Sequence, residues 1–249
     1  MMISIGSFAQ NERGAKPIAI RVLEFRNYIL QPGQRDAFID YFNQNILPQQ
    51  ESLGGHILNE FNLEDSADNF VWLRGFEDIN ARSKCLKDFY SGDYWKSQRA
   101  KTNSMLADSY NVHLLRPVVI REGKVDQVAG VDKSEFEKWR GLVVAEFYYT
   151  HNKRDELITL FAKEHMKTFE QAGIRPSLWI AETAYNDYSW QHVYQKMDLL
   201  LLITCYKDKA DFLEKRKILQ TSTPPEMRKG MESLIARIHT ELLYPSNRR

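Results

Sequence analysis

Three polar side chains alternate along residues 20–29 of the chain: Glu24, Arg26 and Tyr28. This run is rich in β-branched and aromatic residues, which predicts a β-strand, and side chains two residues apart in a strand point to the same face. A guanidinium group can orient a carboxylate or phenolate through two parallel hydrogen bonds. The spacing therefore predicts a pocket for an anion or an enolate.

Further side chains of the same kind lie on other predicted strands. We expect one shared ligand site, with a histidine at its rim to move a proton. The predicted ligand-binding residues are Glu24, Arg26, Tyr28, His56, Trp72, Arg74 and His113. The alternative is structural, since buried arginine and glutamate side chains often do no more than balance each other's charge.

The histidines predict no metal site. The chain has 6 of them, and no pair has the HxH, HxxxH or HExxH spacing of a locally assembled site. The sequence also lacks a GxSxG motif, a glycine-rich phosphate loop and a dinucleotide-binding fingerprint. We therefore expect no metal, and no nucleophile-based catalysis can be assigned.

The elements that must position these residues occur twice. "EFRNY" at 24–28 resembles "EFYYT" at 146–150, and Arg35-Asp36 and Leu53-Gly54 recur at a constant separation as Arg154-Asp155 and Ala172-Gly173. "GFED" at 75–78 resembles "CYKD" at 205–208, and "LLRP" resembles "LLYP". This order of matches indicates an internal duplication, with an insertion at 184–198 in the second copy.

Each copy reads as strand, helix, strand, strand, helix, strand. Strands are predicted at 20–29, 57–63, 70–76 and 112–115, and again at 142–150, 177–183, 199–206 and 239–244. Helices are predicted around 38–47 and over 79–109 with a break at 91–92, and again at 155–171 and 209–237.

This order predicts an α+β fold made of tandem ferredoxin-like (βαββαβ) repeats in a dimeric α/β-barrel-type architecture. The expected domains are an N-terminal extension (1–19), a first domain (20–117), a linker (118–140) and a second, diverged domain (141–249). Helices on one face leave the other face of each sheet in need of a partner, either within the chain or in a neighbouring subunit. Leu23 and Phe25 are expected under the helices, which would put Glu24, Arg26 and Tyr28 in the barrel interior.

The insertion is dense in aromatic residues: Tyr185, Tyr188, Trp190 and Tyr194. Such a segment either packs on another subunit or covers a pocket. We expect an oligomer contact, and hence a homo-oligomer.

The first half resembles the NIPSNAP domain of the dimeric α+β barrel superfamily. The resemblance rests on "LEFRNYILQPGQRDAFIDYF", "ILPQQESLGG", "FVWLRGFEDINAR" and the closing "LLRP". The second half departs from this pattern: Tyr148 stands where the Glu-Phe match places Arg26, and the Pro-Gly turn is lost. Any chemistry is therefore expected in the first half.

The resemblance implies a barrel whose relatives include small monooxygenases, isomerases and haem-handling enzymes. It favours a small acidic or aromatic ligand bound in the barrel of the first domain. The alternatives are a cofactor-free or haem-dependent monooxygenase-like enzyme and a non-catalytic interaction protein. If haem is bound, His165 on a predicted helix is the candidate ligand, because haem-binding relatives use a helical histidine.

Composition excludes other classes of protein. With 249 residues and a net charge of +1, the chain has no positive field to attract nucleic acid or an anionic membrane surface. The N-terminus has no apolar core typical of a secretory signal, and no apolar run is long enough to span a bilayer. Cys85 and Cys205 are expected to be reduced, buried thiols of a cytoplasmic protein.

Overall fold

The computed structural model describes residues 17–126, 128–184, 186, 188 and 191–246. The strands are β1 (Ala19–Ile20), β2 (Val22–Leu30), β3 (His56–Leu63), β4 (Asn69–Phe76), β5 (Leu106–Arg121), β6 (Lys124–Asp126), β7 (Val131–Asp132), β8 (Leu142–Thr150), β9 (Ser177–Ala181), β10 (Leu199–Tyr206) and β11 (Ile235–Pro245). The helices are α1 (Arg35–Tyr41), α2 (Leu47–Ser52), α3 (Ile79–Ser91), α4 (Asp93–Ser104), α5 (Lys133–Phe136), α6 (Arg154–Leu160), α7 (Met166–Gln171), α8 (Lys209–Ser222) and α9 (Pro225–Leu234). None of these described helices is long and apolar enough to cross a bilayer.

Eight antiparallel strands close into a barrel within the single chain. Their order is β2-β4-β3-β11-β8-β10-β9-β5, and β5 pairs back onto β2. The strands of each half are neighbours, and the halves join edge to edge where β3 meets β11 and β5 meets β9. Both outer edges of each half are thus hydrogen-bonded inside the chain, so the barrel leaves no open sheet edge.

The barrel interior is filled with apolar side chains from both halves. Phe25 from β2 meets Phe147 from β8 edge-on at 5.2 Å, and Trp179 is fully buried beside Phe136. An eight-stranded barrel is just wide enough for side chains to fill it. The interior is therefore a packed core.

The prediction of which strand face holds the polar residues was wrong. Leu23 and Phe25 point into the barrel, while Tyr28 packs with Phe38 and Phe42 on the helical side. The prediction assumed that only the face under the helices needed apolar residues. Closure of the barrel buries both faces of the sheet, and the interior face is mainly apolar, although His113 also lies there.

In each half, the long helix that follows the third strand begins at an aspartate: α3 follows β4, and α8 follows β10. Asp78 Oδ1 accepts a hydrogen bond from the Ala81 amide at 2.8 Å, and Asp208 Oδ1 accepts one from the Asp211 amide at 2.9 Å. Each aspartate is an N-cap that satisfies an otherwise unpaired amide of the first turn. This requirement explains why "FED" and "YKD" resemble each other.

A π-helical segment follows the first turns of the first helix in each half, at Phe42–Ile46 and at Phe161–His165. The helices after these segments end before glycines with positive φ, Gly54 at 86° and Gly173 at 68°. Glycine adopts this conformation without a Cβ clash. Ile46 and His165 therefore occupy corresponding positions.

The strand register shows that Glu24-Phe25 and Glu146-Phe147 do not occupy corresponding positions, although their sequences match. Val22 pairs with Phe76 and Leu142 with Tyr206, each two residues before the N-cap aspartate. Arg26 therefore corresponds to Glu146, and Glu24 to Val144. A slip of two residues keeps every side chain on its own face, so the hydrophobic pattern does not reveal it.

The segment at 118–140 contains the end of β5, two short strands and α5. Phe136 of α5 is fully buried against the barrel core, and its carbonyl accepts a hydrogen bond from Asn59 Nδ2 at 3.2 Å. The connection thus helps to pack the barrel. Both cysteines are unpaired, and Cys85 is buried as expected while Cys205 is partly exposed.

Candidate functional site

A fully buried carboxylate lies at the centre of the candidate site. Glu24 Oε2 accepts hydrogen bonds from Arg26 Nη1 at 2.7 Å and from Arg74 Nε at 2.8 Å. Glu24 Oε1 accepts one from Arg82 Nε at 2.7 Å. These four residues are named here the arginine cluster, and all four side chains are inaccessible to solvent.

Opposing effects act on the pKa of Glu24. Burial alone would raise it, but the charges of Arg74, Arg82 and Arg26 outweigh burial and hold the pKa well below its usual range. Glu24 is therefore ionised, and three positive charges face one negative charge. The ion pairs of these guanidinium groups within the described residues all go to Glu24.

Two neighbouring strands and one helix position the arginine cluster. Glu24 lies opposite Arg74 in the β2–β4 ladder, and Arg26 lies opposite Trp72. Both guanidinium groups lie against the Trp72 ring, at 5.0 Å and 5.2 Å from its centroid. Desolvated cation–π contacts of this kind help to stabilise a buried positive charge.

Some of the arginine N–H groups that do not bind Glu24 donate to uncharged oxygen atoms instead. The Tyr28 hydroxyl accepts from Arg26 Nε at 3.0 Å and Nη2 at 2.7 Å, and Gln50 Oε1 accepts from Arg74. Asn186 Oδ1 accepts from Arg82 Nη1 at 2.7 Å. Arg82 Nη2 is buried and finds no partner in the part of the chain that the structure describes. The cluster thus holds an unused donor as well as an excess of positive charge.

Beside the arginine cluster is a cavity of about 270 Å³, named here the first cavity, between β2 and β4 on one side and α1 to α4 on the other. Its walls are mainly aromatic: Tyr28, Phe38, Phe42, Trp72, Phe89, Tyr90, Trp95, Tyr110 and Tyr188. Tyr28, Gln50 and Gln191 line the cavity and also contact the cluster. The indole N–H of Trp72 is buried without a partner among the described residues. Polar donors and the positive charge therefore lie behind one wall of an aromatic pocket.

The tyrosine hydroxyl between cluster and cavity is protonated. Burial raises the pKa of Tyr28, although the neighbouring Arg26 acts to lower it. Its oxygen already accepts two hydrogen bonds from Arg26. The phenol can therefore donate its proton to an acceptor in the first cavity.

Two predicted site residues lie elsewhere. His113 points into the barrel side of β5, with ring centroids 5.0 Å from Phe147 and 5.3 Å from Tyr194, and burial lowers its pKa to about 4. His56 is half-buried on β3, where burial also lowers its pKa. Neither lines the first cavity, because both histidines lie on strands whose alternation turns them away from the helices.

Arg82 and Gln50 belong to the site but were not predicted from the sequence. Arg82 falls on the apolar side of α3, where Cys85, Leu86 and Phe89 follow at helical spacing and are buried. An arginine at such a position predicts a buried ion pair, and this signal was present in the sequence. Gln50 follows Pro48 in the helix α2, and nothing in its local sequence distinguishes it from a surface residue.

The insertion covers the first cavity of its own chain. Tyr188 stacks on Tyr90 at 5.9 Å, and Gln191 Nε2 donates to the Tyr90 hydroxyl at 3.2 Å. The described part of this segment thus covers a pocket, which is the alternative to the expected oligomer contact. Tyr185 and Trp190 lie outside the described residues.

His165, the candidate haem ligand, is buried among aromatic rings. It lies in the π-helical segment of the second half, edge-on to Phe161 and Phe169, and burial lowers its pKa to about 4. A ligating histidine normally donates its other ring N–H to an oriented acceptor. Its Nδ1 is buried without such a partner among the described residues. Those residues also contain no group of three or more side chains suited to hold a metal ion.

Solved structures share this fold along nearly the whole chain. A proposed monooxygenase from Fusobacterium nucleatum matches with a TM-score of 0.58 and 12% identity, over 92% of this chain and 94% of that one. An anthrone oxidase-like protein matches with a TM-score of 0.58 and 10% identity, over 91% and 92%.

Several NIPSNAP family proteins are also structural neighbours. A NIPSNAP-like domain protein from Burkholderia xenovorans has 19% identity and a TM-score of 0.38, over 43% of this chain and 93% of that one. No family model and no curated protein matches the sequence. The two full-length matches show that this chain has the α+β barrel fold of the proposed monooxygenase and the anthrone oxidase-like protein.

Proposed function

We propose that the first cavity binds a compact aromatic molecule that carries an anionic oxygen. The observation that supports this most strongly is the arginine cluster, in which three buried guanidinium groups share one carboxylate. Leaving charge buried without a counter-charge is costly. A ligand oxygen with negative charge at the inner wall would lower that cost.

The cavity walls support the aromatic part of the ligand. Phe38, Phe42 and Tyr90 offer ring faces and edges, and aromatic pairs prefer stacked or edge-to-face contacts. A volume of about 270 Å³ is near the lower limit of small-molecule sites, which favours a compact, planar ring system. Arg99, exposed at the cavity mouth, adds a further positive charge that would attract an anion.

The polar groups at the inner wall would orient the anion. In this proposal the Tyr28 phenol and the Trp72 indole N–H donate hydrogen bonds to the ligand oxygen. Arg74 and Arg26 lie directly behind these groups and stabilise the charge. Hydrogen bonds to a charged acceptor are stronger than neutral ones, so this wall should discriminate charged from neutral ligands.

The site would belong to one of two related units. We infer that the halves are tandem ferredoxin-like copies, since their strand orders agree, as β5-β2-β4-β3 and β11-β8-β10-β9, and each has a capping aspartate and a π-helical segment. The position of Arg26 is held by Glu146 in the second copy. An anion site of this kind would therefore exist only in the first copy.

The experiment compares 2-naphthoate with 2-naphthamide, which has a similar shape but no charge. We expect the naphthoate to bind at least about tenfold more tightly by isothermal titration calorimetry, since hydrogen bonds to charged groups exceed neutral ones by about 1 kcal/mol or more. The Arg82→Met variant should bind naphthoate more weakly and leave naphthamide affinity unchanged. The affinity of the first cavity is that of the binding lost in Asn103→Trp, which places a tryptophan on its lining, and equal affinities of this cavity for the two probes would contradict the proposal.

A second candidate function is oxidation of an anthrone-like substrate by O₂ without a cofactor. It is favoured by the full-length fold similarity to the anthrone oxidase-like protein and the proposed monooxygenase. In such a reaction the substrate methylene group loses two hydrogen atoms and gains one oxygen atom from O₂, and the other oxygen atom leaves as water. The arginine cluster would stabilise the enolate that forms when the methylene group loses its first proton.

His192 is the candidate proton acceptor for this reaction. It lines the first cavity, and its Nδ1 lies 3.4 Å from the Tyr110 carbonyl oxygen, which can only accept a hydrogen bond. This contact favours the tautomer with the proton on Nδ1, which leaves Nε2 free to take a proton. Anthrone should be converted with one O₂ consumed per quinone formed, and His192→Phe should lower kcat by about 100-fold. If naphthoate binds but O₂ uptake stays at the spontaneous rate, the oxidase function is wrong and the binding function stands.

A further inference from the structure

The second half contains a larger cavity at the place that corresponds to the first. This second cavity, of about 620 Å³, lies between β8 and β11 on one side and α7 to α9 on the other. Tyr148 and Glu146 line it at the positions that correspond to Tyr28 and Arg26. His165 lines it at the position that corresponds to Ile46, which lines the first cavity.

The buried polar groups of the second cavity have no excess charge. Glu146, which is 5% exposed, pairs with Arg216 Nη1 at 2.7 Å. In this pair one carboxylate meets one guanidinium group. At the corresponding wall of the first cavity, one carboxylate faces three guanidinium groups. The two cavities therefore differ in charge at the same place in the fold.

The buried polar side chains Tyr148 and His165 are uncharged at pH 7, while Arg228, Glu232 and Arg237 line the cavity at exposed positions. Burial, together with the nearby Glu146 carboxylate, raises the pKa of Tyr148 well above 10. Burial lowers the pKa of His165 to about 4. The Tyr148 phenol donates its proton to the Glu146 carboxylate, which leaves its oxygen free to accept a hydrogen bond, and an uncharged imidazole can donate one and accept one.

His165 provides an unused hydrogen-bonding atom. The side chain is 7% exposed, and its Nδ1 is buried without a partner among the described residues. A buried polar atom without a partner is costly, and such atoms are rare in native proteins. A polar group of a ligand in the second cavity would satisfy it.

The rest of the cavity wall is mainly apolar. Phe169, Leu219, Met231 and Ile235 come from α7, α8, α9 and β11 and offer an aromatic ring and flexible aliphatic side chains. Such a wall favours the hydrocarbon part of a ligand. Glu146 and Arg216 pair with each other, and the remaining charged lining residues, Arg228, Glu232 and Arg237, are exposed, so no buried charge of this cavity is left unpaired.

We propose that the second cavity binds an uncharged, mainly hydrocarbon molecule that carries one hydroxyl or carbonyl oxygen. The oxygen contacts His165 and Tyr148, and the hydrocarbon part packs against Phe169, Leu219 and Met231. The chain then has two sites at corresponding places, one selective for anions and the other for neutral molecules. This second site is independent of the ligand and reaction proposed for the first cavity.

The probe for the test is 2-naphthalenemethanol, a fluorescent alcohol that does not ionise near pH 7. Two variants each place a tryptophan at an exposed helical position on a cavity lining: Gln220→Trp for the second cavity and Asn103→Trp for the first. We expect Gln220→Trp to abolish binding of the alcohol and Asn103→Trp to leave it unchanged. The proposal would be overturned if the wild type did not bind the alcohol, or if only Asn103→Trp lost this binding.

The role of His165 is tested by His165→Phe, which keeps an aromatic ring between Phe161 and Phe169 and removes both nitrogen atoms. The variant should bind the alcohol about tenfold more weakly, as expected for one lost hydrogen bond. It should bind 2-methylnaphthalene, which lacks the hydroxyl group, as well as the wild type does. Equal losses for both probes would show a packing defect and contradict the assigned hydrogen bond. If the variant fails to fold by circular dichroism, the preference of the wild type for the alcohol over 2-methylnaphthalene decides the same point.

Discussion

One carboxylate, that of Glu24, binds three guanidinium groups. The site is stable only while this carboxylate is ionised, because it is the counter-charge of all three. The sequence predicted that Glu24, Arg26 and Arg74 lie together, because strand alternation puts residues two apart on one face. It did not predict Arg82, which comes from a distant helix, and it misplaced His56 and His113. Alternation assigns residues to a face, but only closure of the barrel decides which face meets the helices.

Replacing the carboxylate should destabilise the protein strongly. In Glu24→Gln the three buried guanidinium groups lose their counter-charge, and breaking a buried ion pair costs about 3–5 kcal/mol. Urea denaturation measures the free energy of unfolding. The control is Asp93→Asn, which breaks a solvent-exposed pair with Lys96 and should have a much smaller effect. A loss no larger than that of the control would contradict the description of the arginine cluster.

Two buried histidines should make the protein sensitive to acid. The pKa values of His113 and His165 are lowered from 6.5 to about 4 by burial, so the unfolded chain binds more protons than the folded chain between these values. The stability that each neutral histidine contributes is therefore fully present above about pH 6.5 and is lost as the pH drops toward 4, by about 3 kcal/mol for each histidine.

Denaturation curves between pH 7 and pH 4 measure this slope. The slope should be smaller in His165→Phe, whereas His151→Gln, at an exposed loop position, serves as the control for loss of a histidine. Should His165→Phe keep the full slope of the wild type, the buried neutral state of this histidine would be wrong.

At the scale of elements, the alternating runs located the strands well. The strands predicted at 142–150 and 199–206 have these bounds in the structure, because both runs are flanked by polar residues and turns. The strand predicted at 112–115 extends over Leu106–Arg121, since its first part pairs with β2 and the part around Pro117 pairs with β9. The pairing partner, which lies far away in sequence, determines its length.

The aspartate caps allow a matched prediction. Asp78→Ala and Asp208→Ala should each reduce the free energy of unfolding by about 1 kcal/mol, because each loses an N-cap hydrogen bond. Asp78→Ala should also weaken 2-naphthoate binding, since it loosens the first turn of α3, which carries Arg82. Asp208→Ala should leave that affinity unchanged. Equal effects of the two substitutions on naphthoate binding would show that α3 does not position the site.

At the scale of the whole molecule, the two halves share one core. Phe25 of the first half contacts Phe147 of the second inside the barrel, and both seams between halves are hydrogen-bonded ladders. The insertion in the second half also covers the cavity of the first. The sequence left open whether the sheets pair within the chain or across subunits, because periodicity shows only that a face needs a partner.

A shared core should unfold in one step. Trp179→Ala removes a fully buried ring from the barrel interior and should cost about 3–5 kcal/mol. Far-ultraviolet circular dichroism and near-ultraviolet circular dichroism should show a single coincident transition in both the wild type and the variant. Two separate transitions would indicate that the halves fold independently.

The central claim is that the first cavity holds an anionic aromatic ligand against the arginine cluster. The most direct measurement is a crystal structure with 6-bromo-2-naphthoate, in which anomalous scattering locates the bromine. We expect the ring between Phe42 and Tyr90 and the carboxylate at the Tyr28 hydroxyl, with the second cavity free of bromine. Bromine in the second cavity alone, or a carboxylate turned toward the solvent, would contradict the account.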